Sequence, residues 1–274
     1  MSDLKEINFF ILDMDGTIYL EDKILPKTLD FLAKLEKTNK DYILLTNNSS
    51  KNRNDYQQKL SKMNINLPPE KIINSGETTA AYLAAQGRKK GKRIYLLGTD
   101  SLKKEMERFG HKIINEETNI REKPEAVDYV VLGFDKTLTY QKLWDAHQLI
   151  LSGVKYIATH PDLVCPLRGG KTQPDTGSMI ELLAASTAKR PLIVGKPSKL
   201  TVEFILKRFK LKKSELAMVG DRLYTDMKMA HEAGITGILV LSGETKREDL
   251  KDLNDNQKYF NYVFEDIGEI INYL

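Results

Sequence analysis

Short continuous apolar runs alternate with stretches of helical spacing along the 274-residue chain. Residues 7–12 (INFFIL) and 41–45 (DYILL) read as strands buried on both faces, because neither alternates apolar with polar positions. Between them Leu29, Leu32 and Leu35 recur at helical spacing. Further strands are expected at 93–97, 128–132, 155–158, 191–194, 215–219 and 235–241, with a weaker one at 262–264. Strand–helix alternation of this kind predicts an α/β fold, a parallel sheet covered by helices on both faces.

Punctuation residues refine the pattern. Ser101 is expected to cap a helix running to Gly110, and Pro197 with Ser198 to open one through 204–209. Gly234 should end a helix that begins near Thr225. The basic piece 87–92 (GRKKGK) reads as a turn, and the polar, glycine-rich 168–177 as a loop or a crossing point between modules. No internal repeat and no low-complexity stretch is visible.

The chemistry gathers where these strands end. Asp13 and Asp15 follow directly on the run 7–12, with Gly16 permitting a sharp departure. The crevice beyond the carboxyl ends of parallel strands is where ligands bind. Taken alone, Asp-Met-Asp-Gly fits a turn or a fragment of a calcium loop, though no glutamate stands at that loop's twelfth position. A second acidic group alters the balance: the strand 215–219 ends in Gly220-Asp221, with Asp226 five residues on. A helix cap explains Thr225 or Asp226 but not Asp221. Several carboxylates at one edge are costly without a cation, and an oxygen donor set free of cysteine and paired histidine favours Mg²⁺.

Two more strand ends supply groups suited to an anion. The strand 41–45 leads into Thr46, Asn47, Asn48, Ser49 and Ser50, of which Ser50 is expected to be a helix cap. Lys196 follows the strand 191–194, held between Gly195 and Pro197.

Composition narrows the classes. Apolar residues are 41% and charged residues 29%, enough for real cores in a soluble protein. The balance of 42 Lys+Arg against 38 Asp+Glu, evenly spread, does not by itself argue for nucleic acid. The lone Cys165 rules out a disulfide framework, reads as a buried structural thiol, and suits a reducing cytoplasm. No signal-peptide pattern and no bilayer-length apolar run is present, so a cytoplasmic protein with no membrane partner is expected.

The four segments, in this order, resemble the haloacid dehalogenase-like (HAD) phosphatases. Leu-Leu-Thr-Asn-Asn-Ser-Ser at 44–50 and Gly-Asp-Arg-Leu-Tyr-Thr-Asp at 220–226 are similar to the capped subfamily of 4-nitrophenyl phosphatases, phosphoglycolate phosphatases and ribonucleotide monophosphatase-like proteins. The resemblance covers nearly the whole chain. It implies a Rossmann-like core of residues 1–78 and 178–274 with an α/β cap, 79–177, inserted between the threonine and lysine motifs. The runs 128–139 and 156–162 also resemble such a cap. His160 stands where relatives often carry Asn, and Asp175 where a small residue is usual; both departures bear on substrate preference. Asp162 and Arg168 are further cap residues that could meet the leaving group.

What the resemblance implies also makes chemical sense. Asp13 would attack phosphorus, and Asp15, protonated beforehand, would serve the leaving group and then the attacking water. Mg²⁺ would be held by Asp13, Asp221 and the backbone carbonyl of Asp15, with Asp226 acting through water or by orienting neighbours. Thr46, Asn47 and Lys196 would bind the phosphoryl oxygens. The expected substrate is a small phosphorylated metabolite, and relatives often form cap-to-cap homodimers. A phosphomutase-type transferase and a metal-binding regulatory module without turnover are the alternatives; retention of Asp15 speaks against the second.

Overall fold

A computed structural model describes residues 4–87, 91–117, 119–251, 253 and 259–274. In chain order the strands are β1 (Phe9–Asp13), β2 (Tyr19–Leu20), β3 (Lys23–Ile24), β4 (Asp41–Thr46), β5 (Ile72–Asn74), β6 (Arg93–Leu97), β7 (Lys112–Ile113), β8 (Tyr129–Leu132), β9 (Lys155–Ala158), β10 (Val164–Leu167), β11 (Lys171–Pro174), β12 (Leu192–Ile193), β13 (Leu216–Gly220), β14 (Thr236–Val240) and β15 (Tyr262–Phe264). The α-helices are α1 (Thr28–Lys37), α2 (Arg53–Ser61), α3 (Ser75–Ala85), α4 (Asp100–Arg108), α5 (Tyr140–Leu151), α6 (Thr176–Thr187), α7 (Lys199–Phe209) and α8 (Lys228–Ala233). They gather into two compact units: Met1–Thr46 with Arg53–Ile73 and Pro197–Leu274, and Asn47–Asn52 with Asn74–Lys196.

The first unit is built on a sheet ordered β15-β14-β13-β1-β4-β5. β1 lies parallel between β13 and β4, with Phe9 opposite both Leu216 and Asp41. Its continuous apolar sequence is explained by two buried faces. Phe10 and Leu12 pack with Phe31 and Leu35 of α1 and Leu60 of α2. Phe9 and Ile11 pack on the opposite side with Val202 and Ile205 of α7 and Met229 of α8. Burial of each such side chain contributes about 1.5–3 kcal/mol, so β1 is anchored firmly up to the residue where its acids begin.

The second unit carries a separate sheet, β12-β9-β8-β6-β7, whose strands pair in parallel. Tyr95, Leu97, Val130 and Leu132 form its core with Leu149 of α5 and Ile180 of α6. β10 and β11 make an antiparallel ribbon.

The α/β architecture with parallel sheets follows the sequence pattern, and several local expectations are corrected. The cap of α4 is Thr99, not Ser101: its side chain accepts the Leu102 N–H, and the helix already includes Ser101. Ser50 caps no helix; its N–H and hydroxyl both bond Asn48 Oδ1, and α2 begins only at Arg53. The helix expected from Thr225 to Gly234 begins as a turn of π-helix, Leu223–Met227, before α8. The stretch 168–177 is neither a loop throughout nor a crossing, since it supplies β11 and the start of α6. Cys165 is half-buried on β10 rather than buried in a core. The strand expected at 191–194 forms as β12 and joins the second sheet by pairing with β9. α6 packs in that unit's core, and the unit runs on to Lys196. Of the turn expected at 87–92, residues 88–90 lie outside the described residues. Among the described residues no helix is long and apolar enough to cross a membrane.

Candidate active site

In the first unit the adjoining strands β1 and β13 end in acids at the same edge of the sheet. Leu12 pairs with Val219, so Asp13 and Asp221 leave the sheet one and two residues later on neighbouring strands. The π-helical turn then returns Asp226 to the same edge, where its Oδ2 accepts the Arg222 N–H at 3.1 Å. The result is a cluster of three buried carboxylates, Asp13, Asp221 and Asp226, each offering an oxygen within 4.8 Å of the others. Turns of π-helix concentrate at functional sites, because the extra residue re-aims a side chain.

Two glycines make room for this cluster. Gly16 has φ +91°, and a Cβ there would stand 2.4 Å from Asp221 Oδ2. Gly243 is more constrained still, since its Cβ would meet the same oxygen at 1.9 Å. The Gly16 turn is held by Gly16 N donating to Tyr19 O at 2.8 Å, and by Ile18 and Tyr19 N–H groups donating to Met14 O. Ser242 Oγ donates to Gly16 O at 2.8 Å, and Glu244 N donates to Asp221 Oδ2 at 2.6 Å. The segment 242–245 therefore belongs to the site, although no sequence motif marks it. The available signal is its position two residues beyond the strand 236–240.

Charge around the cluster is partly balanced by Arg222. Its Nε lies 2.9 Å from Glu244 Oε2, and Tyr224 donates its hydroxyl to Glu244 Oε1 at 2.8 Å. Burial pulls the Arg222 guanidinium downward, yet the negative field of Tyr224, Asp13, Asp221 and Glu244 holds its pKa above the ordinary arginine value. Asp15 stands apart from the three carboxylates. Its Oδ2 faces the Tyr19 hydroxyl at 3.4 Å, and its backbone bridges to Tyr19. Burial first, and then the Asp15 carboxylate, push the Tyr19 phenol well above its usual range, which keeps it a donor toward Asp15. Thr46 is the buried last residue of β4, beside β1.

In the second unit the structure brings Asn47 and Lys196 together. Lys196 N donates to Asn47 Oδ1 at 2.9 Å, and Asn47 Nδ2 donates to Lys196 O at 2.9 Å. The other amide hydrogen turns toward Asp162, with both carboxylate oxygens 3.3 Å away. Asn47 thus clamps the backbone of a lysine that is itself buried. His160 and Asp175, singled out as departures, are in contact: His160 Nε2 lies 3.0 Å from Asp175 Oδ1. The side chain of Arg168 lies outside the described residues.

Comparison with known proteins bears on what this geometry serves. The family described as haloacid dehalogenase-like hydrolase matches residues 10–112, and a HAD-hydrolase-like family matches 193–270. An acid sugar phosphatase of Staphylococcus haemolyticus is 32% identical, over 99% of this chain and 98% of its own length. Phosphoglycolate phosphatase 1A of Arabidopsis thaliana is 34% identical, over 88% of this chain and 70% of its own length. The crystal structure of a 4-nitrophenylphosphatase from Thermotoga maritima superposes with a TM-score of 0.89 at 46% identity, covering 98% of each chain. The chain belongs to the haloacid dehalogenase-like hydrolases, in the group that includes NagD and the 4-nitrophenylphosphatases, and is a phosphoric monoester hydrolase.

Proposed function

We propose that the protein is a cytoplasmic, Mg²⁺-dependent phosphatase that hydrolyses small phosphate monoesters, of the sugar phosphate, nucleotide or 4-nitrophenyl phosphate type, through a phospho-aspartate on Asp13. The observation that carries this reading is the convergence of Asp13, Asp221 and Asp226 within 4.8 Å at one sheet edge. Three buried carboxylates repel one another, and oxygen-only donors in a cradle of Gly16 and Gly243 fit a small hard cation. Asp13 and Asp221, with the Asp15 carbonyl, would hold it, and Asp226 would act beside them through water or by orienting its neighbours. When bound, Mg²⁺ supplies charge neutralisation between the Asp13 carboxylate and the phosphoryl oxygens.

In the first half-reaction an oxygen of Asp13 attacks phosphorus, the bond to the ester oxygen breaks, and Asp15 gives its proton to the departing alkoxide. In the second, Asp15 takes a proton from water as that water attacks the phosphorus. The bond to Asp13 then breaks, freeing phosphate and restoring the carboxylate. The Tyr19 hydroxyl orients Asp15 for both steps. Thr46 and Lys196 stabilise the charge on the equatorial oxygens, and Asn47 joins them by clamping Lys196. Residues 1–78 and 178–274 form the proposed core domain, and 79–177 the proposed cap that selects the leaving group.

Phosphate release from a panel of sugar phosphates, nucleoside monophosphates, phosphoglycolate and 4-nitrophenyl phosphate, compared by kcat/KM, tests the reading. EDTA should abolish turnover and added Mg²⁺ restore it; turnover that survives EDTA would remove the metal from the proposal. Gly243→Ala should raise the Mg²⁺ concentration for half-maximal activity about 10- to 100-fold, since the new methyl displaces the Asp221 carboxylate. An unchanged Mg²⁺ requirement in that variant would separate the segment 242–245 from the metal site.

A further inference from the structure

The second unit holds a buried polar path that phosphate hydrolysis as proposed leaves without a task. His160 is fully buried, and Asp175, Thr159 and Ser75 are buried around it. Asp175 Oδ1 takes a hydrogen bond from His160 Nε2 at 3.0 Å and another from Thr176 N at 2.6 Å, at the start of α6. The opposite ring nitrogen, Nδ1, accepts from the Thr159 hydroxyl at 2.9 Å and lies against Ser75 Oγ at 3.3 Å as a packing contact. Ser75 in turn donates its hydroxyl to the carbonyl oxygen of Asn47. The side-chain amide of Asn47 then closes on Lys196, with one hydrogen bond to its N–H and one to its carbonyl.

An imidazole and a carboxylate inside a protein are costly to bury, and an apolar pair of similar volume would fill the same space more cheaply. One arm of the path ends on the backbone of Lys196; a second runs from Thr159 Oγ1 to Ser49 Oγ at 3.1 Å and on to the Phe134 N–H. Lysine carries its charge on a flexible four-carbon stem, so the position of the ammonium depends on how firmly the stem's root is fixed. Charge stabilisation in a transition state is lost steeply with small displacements.

We propose that His160 and Asp175 are positioning residues: a single brace that, through Ser75, holds the Asn47 clamp and thereby the placement of Lys196. The proposal rests on the reading of Lys196 as a phosphate ligand. It differs from a purely structural role in one respect, because the brace then acts on the reaction only by way of Lys196.

A double-mutant cycle reads this directly. Rates with 4-nitrophenyl phosphate are measured for His160→Ala, Lys196→Ala and the double variant, each checked by thermal melting. His160→Ala should lower kcat about tenfold with KM changed far less, the scale typical of lost orienting contacts. In the Lys196→Ala background the same change should cost less than about twofold. His160→Asn, which keeps a donor near Asp175, should recover part of the loss. A full tenfold loss in both backgrounds, or an unchanged kcat in His160→Ala, overturns the brace. Should His160→Ala fail to fold, Ser75→Ala breaks the path at a single hydroxyl and is taken through the same cycle, where the same pattern of losses supports or overturns the brace. Lys196→Ala with kcat and kcat/KM both undiminished would instead refute the phosphate-ligand reading, and the brace with it; a crippled Lys196→Ala with multiplying losses refutes the brace alone.

Discussion

Asp13→Asn should reduce Mg²⁺-dependent phosphate release to background, a loss on the order of 10⁴-fold or more, as removal of a covalent nucleophile does elsewhere. Asparagine matches aspartate in shape, so the packing of Phe9–Asp13 between its two neighbours should survive. What disappears is the anionic oxygen that bonds phosphorus and, with it, one of the three charges in the cluster with Asp221 and Asp226. The second change has its own signature. Without metal the wild-type carboxylates repel, so the variant's melting temperature in EDTA should equal or exceed that of the wild type. Initial rates with 4-nitrophenyl phosphate and thermal melts in EDTA check both halves. A near-normal rate would remove Asp13 as nucleophile, and a collapsed fold would deny the rate its meaning.

Lys196→Ala should lower kcat by about 10²–10³-fold, the scale of removing one preorganised donor from a developing charge. Lys196 is buried, and its backbone is pinned on both sides by Asn47, so its ammonium stem is rooted at a fixed point. Arginine restores the charge but as a broad planar fork rather than a compact point, so Lys196→Arg should recover only a small part of the rate. Stopped assays at saturating and limiting ester separate kcat from KM. A variant losing only affinity, with kcat intact, would show that Lys196 binds ground state and transition state alike.

Much of the first unit is legible in the sequence because its central strands are buried on both faces. The unbroken run 9–12, too short for a helix, reads as an interior strand, and polar residues placed directly after it stand at the sheet edge. Asp13, Thr46 and Asp221 are readable for that reason. The segment 242–245 is not, because Ser-Gly-Glu-Thr is ordinary turn chemistry until the strand order sets β14 beside β13. The approach of Asp226 to Asp13 is hidden too, since it depends on one extra residue in a π-helical turn that no periodicity announces. In the second unit β12 is legible as a strand, but only its pairing with β9 decides which sheet it joins. That His160 and Asp175 form one hydrogen-bonded pair depends on the tertiary fold.

The central claim is the covalent phospho-aspartate on Asp13, and chemical trapping tests it most directly. Enzyme turning over an excess of 4-nitrophenyl phosphate with Mg²⁺ is quenched, treated with sodium borohydride, digested and sequenced by mass spectrometry. Borohydride reduces an acyl phosphate to the alcohol and leaves a free carboxylate untouched, so residue 13 should be recovered in part as homoserine, and only when ester and metal were both present. An unmodified Asp13 in every sample, or homoserine at a different aspartate, would contradict it.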